Sequence, residues 1–179
     1  MKLSLFLFLL LFACAQAHAQ SLQAATPEMK RLQDAFVGEW KTQETMEQSK
    51  FFPNGGGRTG HAAFRIGSAG YTLVGEGRSD GSAGPLSFMI VIWWEPEPSL
   101  YRYFVCFNGQ KRACRIRGTA HWEGRDFVND YDEPVDGKPK QFRDTFSNIT
   151  AEGFTLVEAM KTEDGSLKPL ITTRNQRAK

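Results

Sequence analysis

The sequence predicts an all-β protein, a closed barrel of about ten antiparallel up-and-down strands with one short N-terminal helix. Three observations predict it. Only one helix signal is present, and it lies before residue 38. Beyond it the chain breaks into segments of about 6–10 residues separated by turn clusters. The connections are short, which describes a meander, and a meander of this length avoids exposed edges most simply by closing on itself.

The chain opens with Lys2, an unbroken apolar run over 3–13 and the small-residue tripeptide Ala17-His18-Ala19. This is the layout of a secretory signal peptide over residues 1–19, with cleavage after Ala19. The run is shorter than the roughly 20 residues a spanning helix takes, so a periplasmic or secreted protein without a membrane span is expected. A lipoprotein reading at Leu11-Phe12-Ala13-Cys14 fits less well, because Phe12 is bulky for that pattern. Removing 19 of 179 residues leaves 160, the size of one domain with a core of its own. The division expected is 1–19 signal peptide, 20–37 leader and helix, and 38–179 a single barrel domain.

Charge excludes some partners. The formal charge is +2, and it falls to +1 once Lys2 is removed. Nucleic acids and anionic membrane surfaces call for a clustered basic excess that is absent here. Cys106 and Cys114 remain after processing, in an oxidising compartment, and flank Asn108-Gly109. Either they close a disulfide across a hairpin or they are two small core residues.

The helix signal is Thr26 as N-cap, Pro27 at the first helical position, Met29, Leu32 and Phe36 on one face, and Gly38 as terminator. Strands are expected at 39–48, 57–66, 71–77, 86–94, 100–107, 112–122, 126–131, 140–147, 154–160 and 168–174. The separators carry turn chemistry, among them Pro53-Asn54-Gly55-Gly56, Gly81-Ser82-Ala83-Gly84, Pro96-Glu97-Pro98 and Asp136-Gly137. The fourth strand, Leu86-Ser87-Phe88-Met89-Ile90-Val91-Ile92-Trp93-Trp94, is apolar on both faces and needs cover from the helix or from a second subunit.

Gly38-Glu39-Trp40 follows the helix and opens the first strand, and Arg174 lies on the last. This pair resembles the calycin superfamily of lipocalins, fatty-acid-binding proteins and avidins. The resemblance implies a Gly-x-Trp at the base of the barrel with an arginine of the final strand stacked on the indole, a role for which Arg177 is the rival. Gly75-Glu76-Gly77-Arg78, Trp93-Trp94-Glu95-Pro96 and Phe127-Val128-Asn129-Asp130-Tyr131 are similar to a family of uncharacterised bacterial exported proteins. Some calycins bind haem, but His61 and His121 lie off the last strands, where the resemblance would put the proximal ligand. No cofactor and no metal are expected.

No nucleophile elbow and no Cys–His pair is present, so no catalytic residue is assigned. Gly55-Gly56-Gly57 lacks the Lys and the following helix of a phosphate loop, and is read as a mobile hairpin loop with Phe51 and Phe52 beside it. With Trp40 inward, the period of two places Thr42, Glu44 and Met46 inside; with Arg174 inward, it adds Thr172 and Leu170. A mixed interior of this kind suits a small amphipathic or hydrophobic molecule. Arg115, Arg117 and His121 share a phase on the sixth strand; they are read as a solvated outer face, and as an inner face they would bind an anion. Asp144 and Arg143 are adjacent, so at most one of them is inside. Asp130-Tyr131-Asp132-Glu133 is read as a loop of solvated acids. Three functions are carried forward. The first is a non-catalytic small-molecule-binding barrel. The second is an acid–base enzyme using Glu44, His121 or Asp144. The third is a filled barrel that docks a protein, a second copy included, through the surface around Trp93 and Trp94.

Overall fold

The computed structural model describes residues 25–108 and 114–179. The expected signal peptide, the hairpin tip at Gly109 and the start of the sixth expected strand lie outside them. One helix, α1 (Pro27–Phe36), precedes ten strands: β1 (Gly38–Met46), β2 (Gly56–Gly67), β3 (Thr72–Gly81), β4 (Leu86–Glu95), β5 (Leu100–Phe107), β6 (Cys114–Glu123), β7 (Asp126–Val135), β8 (Lys138–Ser147), β9 (Gly153–Lys161) and β10 (Leu167–Arg177). Each strand pairs antiparallel with its successor, and β10 pairs with β1, closing the barrel. Among the described residues no helix is long and apolar enough to cross a membrane.

α1 begins where the sequence predicts. Thr26 Oγ1 accepts from the Met29 N–H at 3.3 Å, and Pro27 occupies the first turn, where its missing N–H costs nothing. Met29, Leu32 and Phe36 are at most 2% exposed, and they plug one end of the barrel. Each such side chain contributes about 1.5–3 kcal/mol by leaving water. Phe36 sits among Phe64, Trp122, Phe127, Phe146 and Phe154, with ring centroids 5.2–6.4 Å away. The same core reaches Ile90 and Ile92 on the inner face of β4, so the helix covers part of that strand. The outward Met89, Val91 and Trp93 are half-buried.

The arginine over the base differs from expectation. Arg177, not Arg174, stacks on Trp40, with its guanidinium carbon 4.3 Å from the ring centroid. The cause is a bulge in β10. Pro169 pairs with Ala159 while Ile171 pairs with Glu158, so Leu170 is an extra residue and the alternation flips. Below the bulge Ile171, Thr173, Asn175 and Arg177 stand opposite the inward Met46, Glu44, Thr42 and Trp40. Thr172 and Arg174 face out. A β-carbon on Gly38 would lie 2.0 Å from Arg177 Nη1, which leaves only glycine room for this arginine.

A second bulge corrects β6. Arg102 pairs with Thr119 but Phe104 pairs with Ile116, leaving Arg117 and Gly118 opposite Tyr103. Gly118 has φ +73°, and a β-carbon there would lie 2.0 Å from the Asp130 carbonyl oxygen. Arg115, Arg117 and His121 therefore do not share a face: Arg117 is buried inside, while His121 is exposed outside. The segment Asp130-Tyr131-Asp132-Glu133 is not a loop but the second half of β7, with Asp130 and Asp132 outward and Tyr131 and Glu133 inward. Cys106 and Cys114 pair across β5 and β6 and form a disulfide.

Candidate functional site

The barrel is open at the end opposite α1. A cavity of about 120 Å³ lies inside, and it continues into a mouth of about 920 Å³ through the shared residues Arg58, Leu86, Phe107, Arg117, Glu158 and Ile171. The floor is apolar: Phe64, Ile90, Phe146 and Phe154, resting on the α1 plug. Phe51 and Phe52, on the β1–β2 loop, stand at the mouth, where Phe51 meets the Phe142 ring edge-on at 6.2 Å and Lys50 pairs with Asp136 at 2.7 Å.

Between floor and mouth runs a belt of buried charge in two clusters. In the first, Arg58 Nε donates to Glu44 Oε2 at 2.9 Å and Ser79 Oγ donates to Glu44 Oε1 at 2.6 Å. Both charged side chains are under a tenth exposed. In the second, Arg117 Nη2 donates to Glu158 Oε2 at 3.0 Å and to the Tyr131 hydroxyl, and its guanidinium lies 3.8 Å over the Tyr131 ring. The Tyr131 hydroxyl donates to Asp144 Oδ1 at 3.1 Å, and Asn129 Nδ2 donates to Asp144 Oδ2 at 3.3 Å. Nearer the mouth Arg115 pairs with Glu133.

Removal from water dominates the electrostatics. Burial pushes the Asp144 carboxyl up to about 6; the Arg117 charge opposes this and the Glu158 charge adds to it. Burial also works against the Arg117 charge, but Asp144 and Glu158 outweigh it and raise its pKa. The Tyr131 and Tyr103 hydroxyls are raised by burial and by the Asp144 carboxylate, so both stay protonated donors.

Of the residues predicted from the sequence, Trp40, Thr42, Glu44 and Met46 face inward, with Thr42 and Glu44 on the cavity wall. Leu170 is buried near the mouth beside Tyr131, Val135 and Phe142. Thr172 and Arg174 are outside. Of the alternative polar group, Arg117 and Asp144 line the cavity, Arg115 lies at the mouth, and His121 sits outside, 3.1 Å from Glu123. Sequence reasoning missed Arg58, Ser79, Tyr131 and Glu158. Parity along β7 from Phe127 would have found Tyr131, and the residue paired with Glu44, three places past Gly55, is Arg58. An open groove of about 770 Å³ runs along the outer wall past His61, Glu76 and Arg78, but it gathers no buried charge.

The sequence matches no known family model and no curated protein. Solved structures do match. The fold superposes on the crystal structure of Rv2717c from M. tuberculosis with a TM-score of 0.59 at 12% identity, over 87% of this chain and 99% of that one. The likeness is one of fold. Weaker matches include a de novo designed fluorescence-activating β-barrel (TM-score 0.43, 12% identity, 81% of this chain and 95% of that one) and a redesigned β-barrel bound to DFHBI (TM-score 0.42, 15% identity, 80% and 99%).

Proposed function

We propose that this protein is an exported, calycin-like barrel that binds a small amphipathic molecule in its interior and does not act on it chemically. One observation carries the reading: a cavity with an apolar floor and a charged belt, continuous with an open mouth at the end opposite α1. Pockets that bind small molecules combine apolar walls with a few convergent polar groups in this way. Trp40 under Arg177 at the closed base supports the calycin likeness. The disulfide and the N-terminal layout of Lys2, the 3–13 run and Ala17-His18-Ala19 support export. The near-balanced charge favours a small molecule over nucleic acid.

The test is a cavity-blocking pair. Thr173 faces the cavity and Thr172, its neighbour, faces out. The neutral fluorophore N-phenyl-1-naphthylamine should brighten on adding the wild type and the Thr172→Trp variant. Thr173→Trp should reduce its affinity about tenfold or more, because the indole fills the space. Equal loss in both variants, or no brightening at all, contradicts the reading.

Asp144 favours a second reading. A buried carboxyl with a pKa of about 6, touching a tyrosine on a cavity wall, is the type of group that moves protons in enzymes. Glu44 is tied to Arg58 and His121 is outside, so Asp144 alone of the three predicted acid–base residues is suited to that work. On this reading Asp144→Asn abolishes turnover in a substrate screen while fluorophore binding persists; a full retention of turnover excludes it.

A further inference from the structure

Resting on the reading of the interior as a binding site, we infer that its ligand is a small organic cation, an ammonium or amidinium head on an apolar body. The charges on the cavity wall do not balance. Glu44, Asp144 and Glu158 face Arg58 and Arg117, three carboxyls to two guanidiniums. Glu44 is matched by Arg58 and Glu158 by Arg117, at 2.9 and 3.0 Å. The mouth adds Arg115 and Glu133, which pair with each other. Asp144 is the remainder in that it has no guanidinium of its own: it shares the Arg117 charge with Glu158 and does not pair with it directly. Its contacts, Asn129 Nδ2 and the Tyr131 hydroxyl, are neutral donors, and it makes no ion pair among the described residues. It is 4% exposed, and a buried carboxylate left in this state favours either a proton or a cation.

The walls around it suit the cation. Phe64, Phe88, Tyr103, Phe107, Phe146 and Phe154 line the same cavity, and aromatic faces attract ammonium groups that have left water. An anion would gain Arg117, whose Nε has no hydrogen-bond partner among the described residues, but that nitrogen lies 3.5 Å from Glu133, and the incoming charge would meet Asp144 and Glu158 as well. A volume of about 120 Å³ exceeds that of a single water site and suits a head group, with the body directed to the apolar mouth at Leu86, Phe107 and Leu170.

Cation and proton then compete for one carboxylate. The groups facing it are Arg117 from β6, Asn129 and Tyr131 from β7, Glu158 from β9 and Tyr103 from β5. Tyr131 and Tyr103 stay protonated and Arg117 stays charged, so Asp144 is the group that gives up a proton when the cation enters.

Isothermal titration with three probes of one ring and different heads tests this: benzylammonium, benzyl alcohol and benzoate. Benzylammonium should bind about tenfold or more tighter than the other two at pH 7.5. Its affinity should fall as the pH drops to 5, and at pH 5.5 the heat should vary with the ionisation enthalpy of the buffer, because a proton is released. Asp144→Asn should lose the preference for benzylammonium, while Asp130→Asn, an outward carboxylate, should keep it; a urea unfolding curve verifies that each variant is folded. Tighter binding of benzoate or benzyl alcohol, or an Asp144→Asn variant with unchanged preference, overturns the cation while leaving a binding barrel in place. Failure of all three probes to bind the wild type overturns both.

Discussion

Arg174 and Arg177 are three residues apart on β10 and both are exposed, yet only Arg177 closes the base of the barrel. Arg177 covers Trp40, donates from Nη1 to the Val37 carbonyl at 3.2 Å and from Nε to that of Ala151, and so ties the helix exit to the β8–β9 connection. Arg177→Ala should lower stability by about 1–2 kcal/mol, from a cation–π contact and hydrogen bonds to backbone carbonyls. Arg174→Ala should stay within about 0.5 kcal/mol. Urea unfolding at neutral pH checks both. The motif itself was legible, since Gly38-Glu39-Trp40 stands where a strand must open. The choice of arginine was not, because it depends on one extra residue at Leu170. Asp144 makes the second prediction at this scale. Its carboxyl binds a proton at about pH 6 when folded and near 3.8 when unfolded, so between those values the folded state holds more protons and stability falls as the pH rises. The penalty is absent below that window and complete above it, at up to about 3 kcal/mol. Asp144→Asn removes it. The urea midpoint of the variant should therefore gain on that of the wild type between pH 4 and pH 7; an unchanging difference would mean that the carboxyl is not raised.

Among the elements, the helix was the most legible, because Thr26, Pro27 and the Met29, Leu32 and Phe36 stripe all state the same boundaries. The strands were legible in number and order, but seven of the ten are longer than expected, while β1 stops at Met46, two residues early, and β5 keeps its expected bounds. β3 runs on through Ser79 and β7 through Val135, and what hid these extensions is that each has a polar residue facing inward, Ser79 in one and Glu133 in the other. Strand signals assume an apolar inner face, and a barrel that carries its polar groups inside violates that assumption where its site is built. Bulges were hidden for another reason. Gly118 resembles any strand glycine until its partner strand fixes the count, and the bulge it permits is what turns Arg117 in and His121 out. Just before that bulge the Cys106–Cys114 disulfide clasps β5 to β6 across a sequence separation of 8. Closing a loop of that length is worth about 2–3 kcal/mol in chain entropy. The Cys106→Ser/Cys114→Ser double variant should lose about that much in urea unfolding without losing the barrel's far-UV spectrum; unchanged stability would contradict the clasp.

At the scale of the whole molecule, the fold leaves few choices about where a ligand enters. Ten strands close without a free edge, α1 stoppers one end, and Trp40 with Arg177 seals the seam between β1 and β10 beside it. The other end stays open past Phe51 and Phe52, and the buried charges lie between the opening and the apolar floor. A barrel built only for stability has little use for Glu44, Arg58, Arg117, Asp144 and Glu158 in its interior, since apolar residues of similar volume are often no less stable there. Closure was legible in the meander of short turns. The belt was half legible: alternation from Trp40 delivered Glu44, but its partner Arg58 and the Arg117–Tyr131–Asp144–Glu158 cluster come from strands whose register the sequence does not state. The measurement that bears most directly on the binding reading is the mass of the protein in its native state against its mass after denaturation without reduction. A discrete extra mass that leaves on denaturation is the result predicted, and its formula identifies the ligand. A native protein with no mass beyond its own chain, on which no small molecule is retained even after exposure to the medium of its source cells, would contradict it.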